Sequence, residues 1–294
     1  MKPNFFIVGA PKCGTTAINN YLAQHPDIFM AAKELHYFGK DLKIKEKISE
    51  QDYLSYFSKA NKAKIVGEAS VWYLFSKCAA GEIKKFSSSA KILIMLRNPV
   101  DVMHSLHSQN LYDGNEDVLD FEAAIHLDKE RRQGNKLPES VDFNELPPYT
   151  DSVLFSEQVK RYFDVFGKKQ VHIIVYEDLV ADTKQIMKGL LEFLGVDIEK
   201  HLKFDVVNSN KEIKMFVLHQ LLKKPAPLLK KVTKIILPAK KLRHLIMMQL
   251  FKWNIRNRKR ETMSGKLAQK LKQDLSKDIE RLGKLIDRDL SAWM

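Results

Sequence analysis

Four short apolar runs mark the first 175 residues of the chain. They cover Phe5 to Val8, Lys64 to Gly67, Ile92 to Leu96 and Val171 to Val175, and each is followed by a polar stretch and then a helical pattern. Strands of a parallel sheet are buried on both faces, so their sequences are continuously apolar rather than alternating. The pattern therefore predicts an α/β fold built from βα units around a central parallel sheet.

Helical periodicity fills the intervals between these runs. It predicts helices over Thr15 to Gln24, Asp101 to Gln109, Phe121 to Arg132, Leu154 to Phe166 and Thr183 to Leu194. Gly195 follows the last of them as a C-cap. A long amphipathic helix from Ser264 to Leu290 is expected to form a C-terminal helical extension.

Two stretches depart from the βα rhythm. Residues 111–149 are rich in Asp, Glu, Asn and Pro, and we expect them to form an insertion over the C-terminal edge of the sheet, where open α/β folds bind ligands. Residues 211–263 form a basic helical segment broken by prolines. A chain of 294 residues suits one large globular domain, so we expect a single domain, 1–294, that includes both stretches.

The formal net charge of +13 is concentrated between Lys211 and Lys272, where Glu212 and Glu261 are the only acidic residues. Such a segment favours an anionic neighbour: a phosphate-bearing cofactor, an acidic substrate, a membrane surface or nucleic acid. Apolar residues at helical spacing from Ile213 to Trp253 are typical of a core-facing stripe with a solvated basic face, or of a membrane-surface helix. We expect the core-facing arrangement, with the basic face attracting an acidic glycan or a membrane glycolipid.

The cysteines and the N-terminus bear on the compartment. The two cysteines, Cys13 and Cys78, are too few for a disulfide framework, and no Cys/His cluster has the spacing of a zinc site. The first apolar run ends after Val8, which is too short for a signal sequence or a membrane span. These features predict a cytoplasmic protein without a structural metal.

The segment GAPKCGTT, residues 9–16, lies between a predicted strand and a predicted helix. It brings backbone N–H groups, a helix N-terminus, Lys12 and the hydroxyls of Thr15 and Thr16 around one concavity, an arrangement that binds anions. In the triphosphate-binding pattern G-x-x-x-x-G-K-[ST], lysine stands where this chain has Thr15. The alternative is an ordinary tight turn between strand and helix.

The end of the neighbouring strand bears on the kind of anion. A kinase or ATPase needs an acid there to hold Mg²⁺, whereas the strand from Lys91 to Leu96 is followed by Arg97. An arginine favours a nucleotide that carries an extra phosphate and is bound without metal. These features indicate a P-loop-type three-layer fold. A P-loop kinase with an aberrant loop remains one alternative function, and a non-catalytic polyanion binder remains another. No nucleic-acid recognition motif is present, so nucleic acid is not an expected partner.

Two motifs, PKCGTT and RNPVDVMHS, resemble the cofactor signatures of PAPS-dependent sulfotransferases. The segments AAKELHYF, GEASVWYLF, VYEDL and DIERLGKLIDRDLSAW make the chain most similar to the carbohydrate-type members, which include bacterial and heparan sulfate sulfotransferases. PAPS is 3′-phosphoadenosine 5′-phosphosulfate. The resemblance implies transfer of a sulfuryl group from PAPS to a carbohydrate or glycolipid hydroxyl, with adenosine 3′,5′-bisphosphate as product and no metal required.

The resemblance also implies the residues that bind PAPS. Those for the 5′-phosphosulfate are Lys12, Cys13, Gly14, Thr15 and Thr16. Those for the 3′-phosphate are Arg97 and Ser105. The guanidinium of arginine supplies a fork of hydrogen-bond donors for phosphate. The alternative for Arg97 is a surface ion pair. Arg258 and Arg260 resemble in position a basic loop that closes over PAPS, and a solvated charge run is the alternative.

Sulfuryl transfer needs an aligned acceptor hydroxyl, a base for its proton and a cation beside the leaving phosphate. The resemblance implies Glu34 as the general base, supported by His36 and Lys12. A solvated carboxylate is the alternative for Glu34, and a packed ring is the alternative for His36. Two departures stand out. Ala69 occupies a position where several members carry lysine. No histidine lies between Tyr37 and His104, where members that act on phenols carry a catalytic histidine just before the arginine strand, and this disfavours a phenol acceptor.

Overall fold

The structure, a computed structural model, describes residues 1–42, 48–136, 147–199, 202–204, 211–223, 239–257 and 263–294. Its main sheet has five parallel strands in the order β2-β3-β1-β4-β5. The strands are β1 (Phe5–Gly9), β2 (Ile28–Met30), β3 (Ile65–Ala69), β4 (Lys91–Leu96) and β5 (Val171–Val175). All four predicted strands are confirmed, and β2 is the strand that the sequence did not indicate.

Helices flank this sheet and confirm the α/β class. Those up to residue 131 are α1 (Thr15–Leu22), α2 (Glu50–Ser55), α3 (Ala79–Phe86), α4 (Pro99–Asp113), α5 (Phe121–His126) and α6 (Asp128–Arg131). Those up to residue 194 are α7 (Tyr149–Ser152), α8 (Phe155–Phe166), α9 (Tyr176–Ala181) and α10 (Thr183–Leu194). The five helices predicted in this region exist, although the one expected over Phe121 to Arg132 is divided into α5 and α6.

The central strands explain why the apolar runs are continuous. Every residue of β1 is buried, because β1 lies between β3 and β4 with helices on both faces of the sheet. Its register pairs Phe5 with Gly67 of β3 and with Lys91 of β4. The carboxyl ends of β1 and β4 therefore meet at one edge of the sheet, where the candidate site lies.

Local signals fix the ends of α4 and extend it beyond the predicted range. The Asn98 side chain accepts a hydrogen bond from the Val100 amide at the N-cap, and Pro99 occupies the first turn. Gly114 ends the helix in the left-handed conformation, with φ at 75°. Residues 111–113 consequently belong to α4 and not to the insertion.

The described part of the insertion is well packed. The Arg131 guanidinium and the Glu116 carboxylate form a buried ion pair with N···O distances of 2.6 and 2.8 Å. The Tyr149 hydroxyl donates to Glu116 at 2.8 Å and accepts from the Asn110 amide on α4 at 3.2 Å. Because the carboxylate is satisfied by this set of donors, the insertion is held against α4.

The basic segment contains β6 (Lys211–Ile213), α11 (Phe216–Lys223), α12 (Lys240–Trp253) and β7 (Ile255–Asn257). β6 and β7 pair antiparallel. The buried Asn254 side chain binds both backbone groups of Met215, with its amide donating to the carbonyl at 3.0 Å and its oxygen accepting from the N–H at 2.9 Å. These contacts join the start of α11 to the end of α12.

The outer face of α12 corrects one prediction. We expected the apolar stripe of this segment to face the core, but Leu242, Leu245 and Trp253 are 47%, 59% and 57% exposed. No helix within the described ranges is both long and apolar enough to cross a membrane. The apolar face of α12 therefore meets solvent in this structure.

The C-terminal helical extension is α13 (Gly265–Ile286), which is shorter at its end than the predicted Leu290. Five residues spaced by three or four positions form its buried stripe: Leu267, Leu271, Leu275, Ile279 and Leu282. The stripe packs against α8, and Asp278 accepts a hydrogen bond from the Ser156 amide in the first turn of α8 at 3.2 Å.

The junction of β1 with the following loop generates a stability prediction. Gly9 has φ at 150°, and a Cβ there would lie 2.6 Å from both Leu74 Cβ and the Val71 carbonyl oxygen. We expect Gly9→Ala to lower the free energy of unfolding by more than about 2 kcal/mol, measured by urea denaturation.

Gly189→Ala is the matched control for this substitution. Gly189 lies within α10, and a Cβ there meets nothing within 4 Å. Since alanine is a better helix former than glycine, this variant should gain up to about 1 kcal/mol. Equal stability of the two variants would contradict the close approach at Gly9.

Candidate functional site

The loop from Ala10 to Gly14 connects the end of β1 to the start of α1. The Ala10 N–H donates to the Met95 carbonyl of β4 at 2.7 Å, which fixes the loop at the carboxyl edge of the sheet. Gly14 is the N-cap of α1, with φ at 87°, and a Cβ there would meet the Tyr176 ring at 3.1 Å. The N-terminus of α1 thus has no side-chain cap and presents its positive dipole end to the loop.

Lys12 connects this loop to α4. Its backbone is left-handed, with φ at 65°, and its Nζ lies 3.0 Å from Gln109 Oε1. The Gln109 amide donates in turn to Asp113 one helical turn later, at 2.7 Å. The ammonium of Lys12 is therefore held between the predicted phosphate loop and the neighbouring strand-helix unit.

A second lysine, Lys33, lies at the same loop and was not predicted. Its Nζ is 3.1 Å from Thr15 Oγ1 and 3.2 Å from Thr16 Oγ1. Burial lowers the pKa of Lys33, and the Glu34 carboxylate acts in the opposite direction. The structure thus adds a cation to the two hydroxyls that the sequence assigned to anion binding. The available signal was its position immediately before Glu34 in AAKELHYF.

Cys13 belongs to the loop, but its side chain is buried. Its Sγ lies 3.4 Å from the Pro11 carbonyl oxygen, and burial raises the pKa of the thiol. The thiol therefore stays neutral, and the backbone N–H of Cys13 is the group that can contact an anion.

Arg97 follows β4 and has the surroundings of an anion-binding group. Its guanidinium lies over the Tyr176 ring, with its carbon 4.6 Å from the ring centroid, and Nη2 contacts Asp101 at 3.3 Å. The buried Arg97 Nε has no hydrogen-bond partner among the described residues. The ion pair with Asp101, which was the alternative role for Arg97, is thus present, but it leaves the Nε–H of Arg97 without an acceptor among the described residues.

Ser105 is the other residue predicted for the 3′-phosphate. It is buried on α4 at 3% exposure. Asp101, Ser105 and Gln109 follow each other at intervals of four residues, so they form one row along α4. This row connects the partner of Arg97 with the partner of Lys12. Arg258 and Arg260 lie outside the described residues.

The predicted catalytic carboxylate and histidine lie together. Glu34 Oε2 is 2.9 Å from His36 Nε2, and both side chains are partly exposed, at 26% and 17%. The backbone N–H groups of Leu35 and His36 donate to Ser70 Oγ at 3.2 and 3.1 Å. The two side chains are therefore in contact with each other, and neither is fully exposed.

A buried carboxylate binds the hydroxyls that hold this segment in place. Glu68, at the end of β3, accepts hydrogen bonds from the hydroxyls of Tyr53, of Tyr73 at 2.6 Å and of Ser70 at 2.8 Å. The Tyr73 hydroxyl also accepts from the Phe38 N–H at 3.2 Å. Through these two hydroxyls, Glu68 is a positioning residue for three backbone hydrogen bonds of the Glu34 segment, and the sequence did not assign it this role.

These contacts form two connected groups at one edge of the sheet. The first combines two lysines, two hydroxyls and an uncapped helix N-terminus, which suits a phosphate or sulfate group. The second is the pair of Glu34 and His36, which suits proton abstraction from a hydroxyl. Because Lys33 is adjacent to Glu34 in the chain, the anion site and the candidate base are neighbours.

Comparison with known proteins finds one family. The family model for the sulfotransferase domain matches residues 2–224. Carbohydrate sulfotransferase 15 of Mus musculus is 26% identical over 249 residues, covering 66% of this chain and 44% of the relative. Heparan sulfate glucosamine 3-O-sulfotransferase 5 of Mus musculus is 25% identical, covering 66% of this chain and 54% of the relative. The chain thus spans about half the length of these relatives.

A solved structure resembles the whole fold. The crystal structure of a sulfotransferase from Alicyclobacillus acidocaldarius superposes with a TM-score of 0.72 at 30% identity. The alignment covers 100% of this chain and 99% of that one. The described sheet and its flanking helices therefore have a counterpart determined by crystallography.

A further relative corrects the predicted location. The membrane-associated sulfotransferase kil1 of Dictyostelium discoideum is 24% identical, covering 74% of this chain and 62% of the relative. The prediction of a cytoplasmic protein is wrong in the light of these relatives, one of which is named for its association with a membrane. That prediction came from the short apolar run at the N-terminus, and the relatives extend well beyond the part that this chain covers.

Glu68 generates a prediction about stability and pH. Burial raises the pKa of this carboxyl above its ordinary value of 4.5 in the folded protein. The folded state then holds a proton that the unfolded chain releases near pH 4.5, so the free energy of unfolding falls as the pH rises through the interval between the two pKa values. We expect Glu68→Gln to remove the contribution of this carboxyl and so to reduce the slope, measured by urea denaturation from pH 4 to pH 8.

Glu192→Gln, on the exposed face of α10, is the control and should keep the wild-type slope. An unchanged slope in Glu68→Gln would show that another group causes the pH dependence.

Proposed function

This chain belongs to the sulfotransferase domain family, and we propose that it transfers a sulfuryl group from PAPS to a hydroxyl of a carbohydrate or glycolipid. The observation that carries this proposal is the position of Lys33. Its Nζ contacts both hydroxyls of the phosphate loop, and the next residue in the chain is the candidate base, Glu34. We propose further that the whole chain, 1–294, acts as one domain.

The described residues fit the two ends of PAPS. Lys12, Lys33 and the hydroxyls of Thr15 and Thr16 supply cationic and neutral donors for the phosphosulfate, together with the N–H groups of Cys13 and Gly14. This set contains donors but no carboxylate, as an anionic ligand requires.

The 3′-phosphate fits at the end of β4. Arg97 supplies a guanidinium whose buried Nε is unsatisfied among the described residues, and Ser105 adds a hydroxyl on α4. Arg258 and Arg260 stay proposed contacts. A second phosphate group at this point would satisfy the buried nitrogen, which supports a 3′-phosphorylated nucleotide over ATP.

Each residue of the second group has a role in the transfer. PAPS would supply the sulfuryl group and leave as adenosine 3′,5′-bisphosphate. Glu34 accepts the proton of the acceptor hydroxyl, and His36 orients the carboxylate through the 2.9 Å contact. Lys12 and Lys33 offset the negative charge that develops on the phosphate oxygen. Lys33 thereby supplies a cation in a chain that has Ala69 where several family members carry lysine.

Two observations support a carbohydrate or glycolipid acceptor. The matched relatives are named for carbohydrate and heparan sulfate sulfation. The basic segment contacts α4 through His219, which lies 2.6 Å from the Tyr112 carbonyl, and through Lys223, whose Nζ lies 3.6 Å from Asp113. A cation of this segment thus lies beside the helix that carries Gln109. Such a surface favours acidic acceptors.

Glu34→Gln tests the general base. We expect turnover to fall by at least about 100-fold, because the amide cannot accept the hydroxyl proton, whereas affinity for adenosine 3′,5′-bisphosphate stays near the wild-type value. The assay follows nucleotide release from PAPS with a panel of glycans and glycolipids, without added Mg²⁺. Glu122→Gln, on the exposed side of α5, is the control and should retain full turnover.

Retained turnover in Glu34→Gln would remove Glu34 from the mechanism. Transfer from ATP with Mg²⁺, in place of PAPS, would overturn the proposed function itself.

The donor site has a separate test in binding. We expect Lys12→Ala, Lys33→Met and Arg97→Ala each to weaken PAPS binding about tenfold or more, since each removes charge-assisted hydrogen bonds. Isothermal titration calorimetry measures these affinities, with exposed Lys129→Ala as the control. For Lys33→Met, an affinity equal to that of the control would exclude Lys33 from the donor site.

A further inference from the structure

The exposed face of α12 is an apolar feature of the described surface that the proposed function does not use. It consists of five large side chains that are 38–59% exposed: Leu242, Leu245, Ile246, Leu250 and Trp253. At 100° per residue these positions share one arc of the helix, about 140° wide. Gln249 is the one polar residue within this arc. An exposed apolar face of this size on a helix marks a binding site.

Basic residues lie along both margins of this face. Lys241 and Lys252 fall on one side of the arc, and Arg243 falls on the other. The opposite side of the helix carries Phe251, whose ring packs 4.9 Å from the His219 ring. The apolar arc therefore points away from the contact that attaches α12 to the rest of the protein.

The whole formal charge of the chain resides in the segment that contains this helix. Residues 211–263 include fifteen basic and two acidic residues, which accounts for the net charge of +13. Trp253, the last residue of α12, lies beneath the Lys214 ammonium, with Nζ 5.4 Å from the ring centroid. A tryptophan on the apolar face, beside cations, is typical of helices at a lipid–water interface.

We propose that α12 lies in the surface of an anionic membrane, with its apolar arc in the lipid and its basic margins on the headgroups. The lipid would cover the exposed leucines, and the +13 segment would be drawn to negative headgroups. A polyanion that has no apolar part could bind the basic margins, but it would leave the apolar arc of α12 exposed to water. A second copy of the chain would place one strongly basic segment against another, which charge repulsion opposes.

This docking surface is separate from the family resemblance and from the proposed activity. α12 begins after residue 224, where the family match ends. It does not depend on PAPS or on an acceptor. The segment that contains α12 contacts the site only indirectly among the described residues. Lys223 of α11 lies 3.6 Å from Asp113 of α4, four residues beyond Gln109.

Vesicle binding tests the proposal with the full chain. We expect the protein to co-sediment with phosphatidylglycerol–phosphatidylcholine vesicles, to bind pure phosphatidylcholine vesicles much more weakly, and to be released by salt. Tryptophan emission gives a local reading, because Trp72 and Trp293 are 7% and 4% exposed whereas Trp253 is 57% exposed. Binding should shift the emission to shorter wavelength, and Trp253→Phe should remove the shift.

Exposed substitutions locate the contact. The double variant Leu245→Glu with Ile246→Glu should lower vesicle affinity by at least about tenfold, since it places two carboxylates on the lipid face. Lys252→Gln should cost about fivefold, the equivalent of about 1 kcal/mol per cation near an anionic surface. Val180→Glu, at a 65% exposed site, and Lys270→Gln on α13 are the controls and should bind normally.

Three results would overturn the proposal. The first is vesicle binding that is unchanged in the Leu245 and Ile246 double variant. The second is equal binding to neutral and anionic vesicles. The third is an alternative occupant of the same face: either a concentration-dependent dimer in sedimentation velocity, or binding to an acidic protein instead of vesicles. In both cases the same double variant would abolish the association. Affinity for adenosine 3′,5′-bisphosphate should be normal in every variant, so these results are independent of the proposed activity.

Discussion

A carboxyl group is costly to bury unless hydrogen bonds replace its water, and Glu68 shows how this protein meets that constraint. Three hydroxyls donate to it, and two of them, on Ser70 and Tyr73, also accept from backbone amides of the Glu34 segment. The same groups that make Glu68 tolerable in the core therefore hold the candidate base in place. Stability of the core and geometry of the site depend on one network.

The anion site depends on a second connection, along α4. Arg97 contacts Asp101, and Gln109 contacts both Lys12 and Asp113. Asp113 also contacts Lys223 of the basic segment. A single helix thus relates both predicted phosphate positions to the segment that carries the net charge. Since the contacts repeat every four residues, they follow directly from helical geometry.

The sequence predicted what depends on local pattern and missed what depends on tertiary contact. β1, β3, β4 and β5 are continuous apolar runs and were found, whereas β2 has three residues and offers no period to detect. Lys12 and Arg97 were identified by their motifs, but Lys33 reaches Thr15 only after the chain folds back on the loop. For α12, periodicity shows which side chains share a face and not which way that face points, so its orientation was predicted wrongly.

The packing of α13 on α8 has a consequence for synthesis on the ribosome. The Ser156 amide is capped by Asp278, which lies 122 residues later in the chain. At about 5–20 residues per second, α8 is made roughly 6 to 25 s before its partner helix emerges. During that interval the nascent α8 exposes the surface that Leu271, Leu275 and Ile279 later cover. The docking of α13 on α8 thus takes place only after the βα units have been translated.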